Sequence, residues 1–85
     1  MKFEVIEVSS YSGYKLNERP TGFMFRGNTY TINEIVDRWY EGGSEAQQPV
    51  LSYFKVKVDE GTEYIIRYNS LFDCWSILLK DGESP

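Results

Sequence analysis

Residues 22–40, GFMFRGNTYTINEIVDRWY, decide the fold because two strand-like runs flank a Gly-Asn pair at positions 27 and 28. Glycine and asparagine both tolerate positive φ, so this pair predicts a two-residue turn in a β-hairpin. Pairing Arg26 with Thr29 then sets the register of the hairpin. In that register four side chains share one face, as burial against a core requires. They are Phe23, Phe25, Tyr30 and Ile32.

The apolar residues that continue this stretch fit two structures. Ile32, Ile35, Val36 and Trp39 follow the i, i+3, i+4, i+7 spacing of one helix face. Asn33 could cap such a helix. The β-favouring residue types favour instead a strand with a bulge near Asn33-Glu34, which would turn Ile35 and Trp39 toward the core. We prefer the bent strand and keep the helix as the alternative.

The chain before this stretch predicts one strand and a long loop. Residues 2–8, KFEVIEV, are rich in β-favouring types and have apolar residues of both parities. This strand is therefore either covered on both faces or interrupted by a bulge. Residues 9–20 form a polar connection that ends in a proline, and long connections often carry function.

Residues 50–79 predict a three-stranded meander. VLSYFKVKV at residues 50–58 alternates cleanly between apolar and polar side chains. Asp59-Glu60-Gly61 suits a three-residue hairpin loop closed by a left-handed glycine, and residues 70–73 form the next turn. The resulting cross-strand pairs are Val56 with Tyr64, Phe54 with Ile66, Tyr68 with Trp75 and Ile66 with Ile77.

These elements predict an all-β domain, or β with one short helix. The architecture is a small antiparallel curled sheet or an SH3-like open barrel of five to six strands. Residues 1–80 form a single β domain and residues 81–85 a loose C-terminal tail. The predicted core consists of Phe23, Phe25, Tyr30, Ile32, Phe54, Val56, Tyr64, Ile66, Trp75 and Ile77.

Composition narrows the function classes. The 85 residues include no histidine and one cysteine, so the usual acid–base, nucleophilic and zinc sites cannot be assembled. The acidic residues lie mostly in predicted turns or beside basic residues, and the sequence has no phosphate-binding glycine loop. We therefore predict that the protein is not an enzyme and has no catalytic, cofactor-binding or metal-binding residues.

Charge and cysteine content indicate the partner class and the compartment. The formal net charge of −4 disfavours nucleic acid as a ligand, because proteins that bind phosphates usually present a net basic face. The lone Cys74 cannot form an internal disulfide, which fits a reducing compartment. No apolar run is typical of a signal peptide or a membrane span. We expect a cytoplasmic protein with an unknown protein partner and no membrane association.

A predicted turn and a long loop supply candidate partner-binding residues. Leu71 and Phe72 are apolar, which turn chemistry does not call for. They either fold back over an edge of the core or stay exposed as a contact for a partner. Tyr11 and Tyr14 in the long loop could contribute to the same contact.

The outer face of the meander supplies the candidates for nucleic-acid binding, which are Tyr53, Lys55, Lys57 and Arg67. Aromatic and basic side chains on a sheet surface are typical of proteins that bind single strands. A structural interpretation is also open. The predicted register places Lys57 opposite Glu63 as an ion pair, and Tyr53 opposite Arg67 as a cation–π pair.

Several short motifs, taken in order, resemble a known family. YSGYKLNERP, GFMFRGNTY, IVDRWY, YFKVKVDEGTEYIIRY and D-C-W follow one another over most of residues 11–75. They are similar to a family of small uncharacterised bacterial cytoplasmic proteins. That family has no assigned activity, so the resemblance implies no catalytic or binding residue. Some similar proteins accompany genes for DNA-damage polymerases, which implies an alternative function as an accessory nucleic-acid-binding protein in DNA repair. Residues 42–49 are an added loop relative to the family pattern.

Overall fold

The computed structural model describes residues 2–11, 19–42 and 50–80, with only the backbone described at residues 10 and 11. These ranges contain six antiparallel strands and no helix. The strands are β1 (Phe3–Tyr11), β2 (Arg19–Phe25), β3 (Asn28–Gly42), β4 (Val50–Val58), β5 (Glu63–Asn69) and β6 (Cys74–Leu78). Each strand pairs with the next along the chain, and β6 pairs with β1, so the strands close a small barrel. The predicted all-β class and small barrel are confirmed. The predicted tail at residues 81–85 lies outside the described residues.

Strands β1 and β3 allow the barrel to close. β1 pairs with β6 through residues 3–6 and with β2 through residues 7–11. β3 pairs with β2 through residues 28–31 and with β4 through residues 32–42. Because the two parts of β1, and likewise of β3, pair with different neighbours, the sheet curls onto itself and encloses one core.

Residues 33–40 form a bent strand, so the preferred interpretation is confirmed and the helical alternative is wrong. Register shifts leave Asn33 and Val36 as extra residues in β3. Each extra residue reverses the face to which the following side chains point. Ile35 packs against the core as expected. The second bulge turns Trp39 away from the core, so its predicted inward orientation is wrong.

The turn between β2 and β3 lies one residue earlier than predicted. Arg26 and Gly27 occupy its central positions with φ of 50° and 83°, and Phe25 pairs with Asn28. A type I′ turn needs positive φ at both positions and favours glycine at the second, which Gly27 satisfies. The predicted pairing of Arg26 with Thr29 is therefore wrong. The predicted four side chains still lie on the core face, because the shift of the turn preserves the parity of both strands.

The meander of β4, β5 and β6 has the predicted register. Gly61 closes the first loop with φ of 91°, and its backbone N–H donates to the Val58 carbonyl at 2.8 Å. This is the glycine-closed loop expected from the sequence. The confirmed cross-strand pairs are Val56–Tyr64, Phe54–Ile66, Ile66–Ile77 and Tyr68–Trp75.

Aromatic and β-branched side chains fill the barrel. Its buried cluster is formed by Ile6, Phe23, Phe25, Phe54, Val56, Val58, Ile66, Trp75 and Ile77. Ile6 and Val58 are additions to the predicted core. Tyr30, Ile32 and Tyr64, which were predicted as core residues, are partly buried and pack against the cluster. Phe23 stacks on Tyr30 with ring centroids 5.1 Å apart, which joins the β2–β3 hairpin to the core.

Candidate functional site

The turn between β5 and β6, hereafter the apical turn (residues 69–73), presents two large apolar side chains to solvent. Leu71 is 60% exposed and Phe72 is 71% exposed. The two residues are adjacent, and neither belongs to the buried cluster. They do not fold back over the edge of the core, which was one of the two arrangements expected from the sequence.

The Asn69 side chain organises the backbone of the apical turn. Its Oδ1 atom accepts the backbone N–H of Leu71 at 2.9 Å and that of Phe72 at 3.1 Å. Asparagine favours turns because its side chain can satisfy backbone donors in this way. The Asn69 side chain therefore fixes the main chain that carries the two exposed apolar side chains.

Further hydrogen bonds fix both sides of the apical turn. The Tyr68 hydroxyl donates to Asp73 Oδ1 at 2.6 Å, and Asp73 has a φ of 51°. The Val50 N–H donates to Ser70 Oγ at 3.1 Å, while the Ser70 N–H donates to the Val50 carbonyl at 3.2 Å. The turn is thus tied to the start of β4 as well as to β5.

Lys55 and Lys57, two of the candidate nucleic-acid-binding residues, face carboxylates on both neighbouring strands. Lys57 pairs in register with Glu34 of β3 and Glu63 of β5. Lys55 pairs with Asp37, and its Nζ lies 3.6 Å from Glu63 Oε1. The predicted register of Lys57 and Glu63 is confirmed, but the ion pair of Glu63 forms with Lys55 instead. These acidic neighbours offset the charge of both lysines.

Tyr53 and Arg67, the other two candidates, lie together in a depression on the outside of the barrel. This outer depression has a volume of about 380 Å³ and is lined by Phe3, Trp39, Glu41, Tyr53, Ile65, Arg67 and Leu78. Tyr53 precedes the core residue Phe54 in β4, and successive strand residues point to opposite faces. Tyr53 is only 9% exposed and yet lies outside the core cluster. Other side chains on the outer face therefore cover it.

Aromatic contacts and one hydrogen bond position Tyr53. Its ring is parallel to that of Trp39, with centroids 5.3 Å apart and an interplanar angle of 3°. Phe3 meets it edge-on at 6.4 Å. The Tyr53 hydroxyl donates to Glu41 Oε1 at 3.0 Å. Residues from β1, β3 and β4 thus assemble an aromatic surface with one carboxylate beside it.

Arg67 supplies the cation of the outer depression. It pairs in register with Tyr53, as predicted, but its guanidinium carbon lies 3.8 Å from the ring centroid of Phe3. The predicted cation–π partner, Tyr53, is therefore wrong. Among the described residues, no carboxylate lies within 4.0 Å of Arg67 and none accepts a hydrogen bond from its side chain. Within the described part of the chain, its side-chain N–H groups therefore have no hydrogen-bond acceptor.

Of the seven residues that line the outer depression, only Tyr53 and Arg67 were candidates from the sequence, and Phe3, Trp39, Glu41, Ile65 and Leu78 were not. The sequence does indicate the orientation of Phe3, because Phe3 and the core residue Ile6 are three positions apart in one strand and so point to opposite faces. It does not indicate the orientation of Trp39 and Glu41, because that orientation depends on the bulge at Val36. Without that bulge the alternation along β3 would place them on the other face.

Tyr11 and Tyr14 of the long loop were predicted to contribute to the contact made by the apical turn. Tyr14 lies outside the described residues. Only the backbone of Tyr11 is described, and it pairs with Arg19 at the end of the β1–β2 ladder. The predicted contribution of these tyrosines to partner binding stays a prediction.

No three or more His, Cys, Asp and Glu residues in the described ranges are arranged so that they could hold a metal ion. The described segments also include no helix with the length and apolar character needed to cross a membrane. Comparisons with models of protein families, with curated proteins and with solved structures found no match to this chain.

Proposed function

We propose that this chain is a non-catalytic cytoplasmic protein-interaction module that contacts its partner through the apical turn. The observation that carries the proposal is the exposure of Leu71 and Phe72, side by side on a hydrogen-bonded backbone. Large apolar side chains that insert into a partner's pocket are typical interface hot spots. Val50, which is 39% exposed and hydrogen-bonded to Ser70, extends the apolar surface beside the turn.

Preorganisation of the apical turn supports the same proposal. A loop that must be ordered on binding loses affinity to the entropy of ordering. Here the Asn69 side chain already holds the backbone of Leu71 and Phe72 in the free protein. We expect the partner to present an apolar pocket for these two side chains, surrounded by polar groups.

An accessory nucleic-acid-binding role in DNA repair is the alternative, and it has weaker support. Lys55 and Lys57 lie opposite acidic residues, and a phosphate backbone would meet those carboxylates as well. Titration of a fluorescent single-stranded oligonucleotide at two salt concentrations separates the two functions. Micromolar affinity that weakens steeply with salt would favour the alternative.

The proposed function is tested with the double substitution Leu71→Ser/Phe72→Ser. A partner identified by pull-down is purified, and its Kd is measured by calorimetry for the wild-type protein and the variant. We expect the double variant to bind roughly thirtyfold more weakly, or worse, because hot-spot truncations cost about 2 kcal/mol or more. Its stability should change by less than about 1 kcal/mol, since both side chains are exposed.

Met24→Ser is the matched control, because Met24 is an exposed apolar residue on β2, away from the apical turn. It should leave the Kd unchanged. Equal affinities for the wild type and the double variant would refute the proposed site. A loss of several kcal/mol in the stability of the double variant would instead assign Leu71 and Phe72 to the core.

A further inference from the structure

We propose that the outer depression binds a small aromatic carboxylate, with its ring against Trp39 and its carboxylate on Arg67. No part of the apical turn lines this depression. The inference is therefore independent of the proposed protein-interaction function. It rests on the shape of the depression, on the state of Arg67 and on the charge balance around it.

The shape and lining of the outer depression suit a small aromatic compound. Its volume of about 380 Å³ lies within the usual range for ligand sites, about 300–1,000 Å³. The lining is mostly apolar, with two charged side chains, Arg67 and Glu41. Trp39 is half-buried and lines the depression, so its ring offers an aromatic contact to a ligand, while the Tyr53 ring stacked on it is 9% exposed and holds it in place. Such a combination of apolar walls and few polar groups is typical of small-molecule sites.

Arg67 and Arg38 both lie over aromatic rings without an ion pair among the described residues, and of the two Arg67 lines the outer depression. Arg26 forms an ion pair with Glu4 at 3.2 Å, and Lys55 forms one with Glu63 at 3.6 Å. Arg67 has no such partner among the described residues, and its guanidinium lies over the ring of Phe3 at 3.8 Å. An arginine held on an aromatic ring keeps its planar fork of N–H donors for a carboxylate.

Glu41 limits the charge that the ligand can carry. Its carboxylate accepts the Tyr53 hydroxyl and belongs to the same depression as Arg67. One positive and one negative group leave little net charge at the site, so a monocarboxylate is favoured over a polyanion such as nucleic acid. Repulsion from Glu41 directs the ligand carboxylate to the side of the depression formed by Arg67 and Phe3.

The test compares naphthoate with its neutral amide, naphthamide, by isothermal calorimetry on the full chain. The wild type should bind naphthoate about tenfold more tightly than naphthamide, because a charge-assisted hydrogen bond is stronger than a neutral one. Arg67→Gln should remove this preference. Glu41→Gln should strengthen naphthoate binding without strengthening naphthamide binding. Trp39→Ala should weaken both compounds by a similar factor, because it removes the ring contact.

Lys57→Gln is the matched control for Arg67→Gln. Lys57 is also an outer-face cation, but it does not line the depression. It should leave the preference for naphthoate unchanged, as should Leu71→Ser/Phe72→Ser, which separates this inference from the proposed function. Equal affinity of the wild type for acid and amide would overturn the inference. So would an unaltered preference in Arg67→Gln, or no heat of binding at millimolar naphthoate.

Discussion

Phe54 is the side chain whose removal best tests the packing of the barrel. It has no exposed surface, and the β3–β4–β5 register places it between Arg38 and Ile66. Its ring centroid lies 5.6 Å from that of Trp75. The guanidinium carbon of Arg38 lies 4.9 Å from the same ring. Phe54→Ala therefore removes an aromatic ring from the centre of the core.

We expect Phe54→Ala to lower the free energy of unfolding by about 3–5 kcal/mol, because apolar burial is lost and a cavity remains. The upper half of that range applies, since the ring contact with Trp75 is worth about 0.5–1.5 kcal/mol and the contact with exposed Arg38 about 0.5–1 kcal/mol. An 85-residue domain has a total stability of roughly 4–13 kcal/mol. The midpoint of thermal unfolding should fall by roughly 15–40 °C.

The measurement is urea unfolding monitored by far-ultraviolet circular dichroism. The free energy of unfolding is compared between variant and wild type, whose dependence on urea concentration (the m value) should be the same. Phe72→Ala is the matched control, because it deletes the same atoms from a residue that is 71% exposed. We expect it to cost less than about 0.5 kcal/mol. A loss below about 1 kcal/mol for Phe54→Ala would mean that the inner and outer faces of β4 are assigned the wrong way round.

The turn position and the orientation of Trp39 give two further predictions. Gly27→Ala should cost about 1–2 kcal/mol because φ is 83° at that position, while Asn28→Ala should cost less than about 0.5 kcal/mol. If urea unfolding showed the same loss of stability for both variants, the central positions of the turn would be residues 27 and 28 instead. Trp39→Phe leaves Trp75, which is 6% exposed, so its fluorescence should be blue-shifted and resist acrylamide. Trp75→Phe leaves the half-buried Trp39, whose fluorescence acrylamide should quench more strongly. Equal quenching of the two variants would indicate that Trp39 lies in the core.

The meander could be predicted from the sequence because its signals are local. Alternation in residues 50–58 sets the faces of β4, and Gly61 sets the loop that follows. Once that loop is placed, the pairs Phe54–Ile66 and Val56–Tyr64 follow from counting residues. Leu71 and Phe72 were noticed for a similar reason, since apolar residues in a four-residue turn conflict with turn chemistry.

The sequence predicted the hairpin turn one residue too late, because two overlapping dipeptides, Arg26-Gly27 and Gly27-Asn28, both contain Gly27. Gly27-Asn28 and Arg26-Gly27 each allow positive φ at the glycine, and asparagine tolerates it better than arginine does. In the structure Gly27 takes the second central position, and Arg26 accepts a φ of 50°. Arg26 also forms an ion pair with Glu4 of β1, a contact between residues far apart in the sequence.

Part of the helix-like spacing of residues 32–39 has its physical origin in the bulge at Asn33, while Val36 and Trp39 do not join the core. Ile32 and Ile35 both face the core although they are three residues apart, because the extra residue at Asn33 lengthens the strand repeat. A strand without bulges has a repeat of two, so the sequence pattern alone could not distinguish a helix from a bulged strand.

The sequence by itself determined the all-β class, the β4–β5–β6 register and most of the core, because alternation and turn residues act over a few positions. Only the tertiary structure decided the outer depression. Its residues come from β1, β3, β4, β5 and β6, and the bulge at Val36 turns Trp39 toward them. Bulges depend on how a strand must bend to keep pairing with two neighbours in a closed barrel. That requirement involves the whole sheet, and no short stretch of sequence contains it.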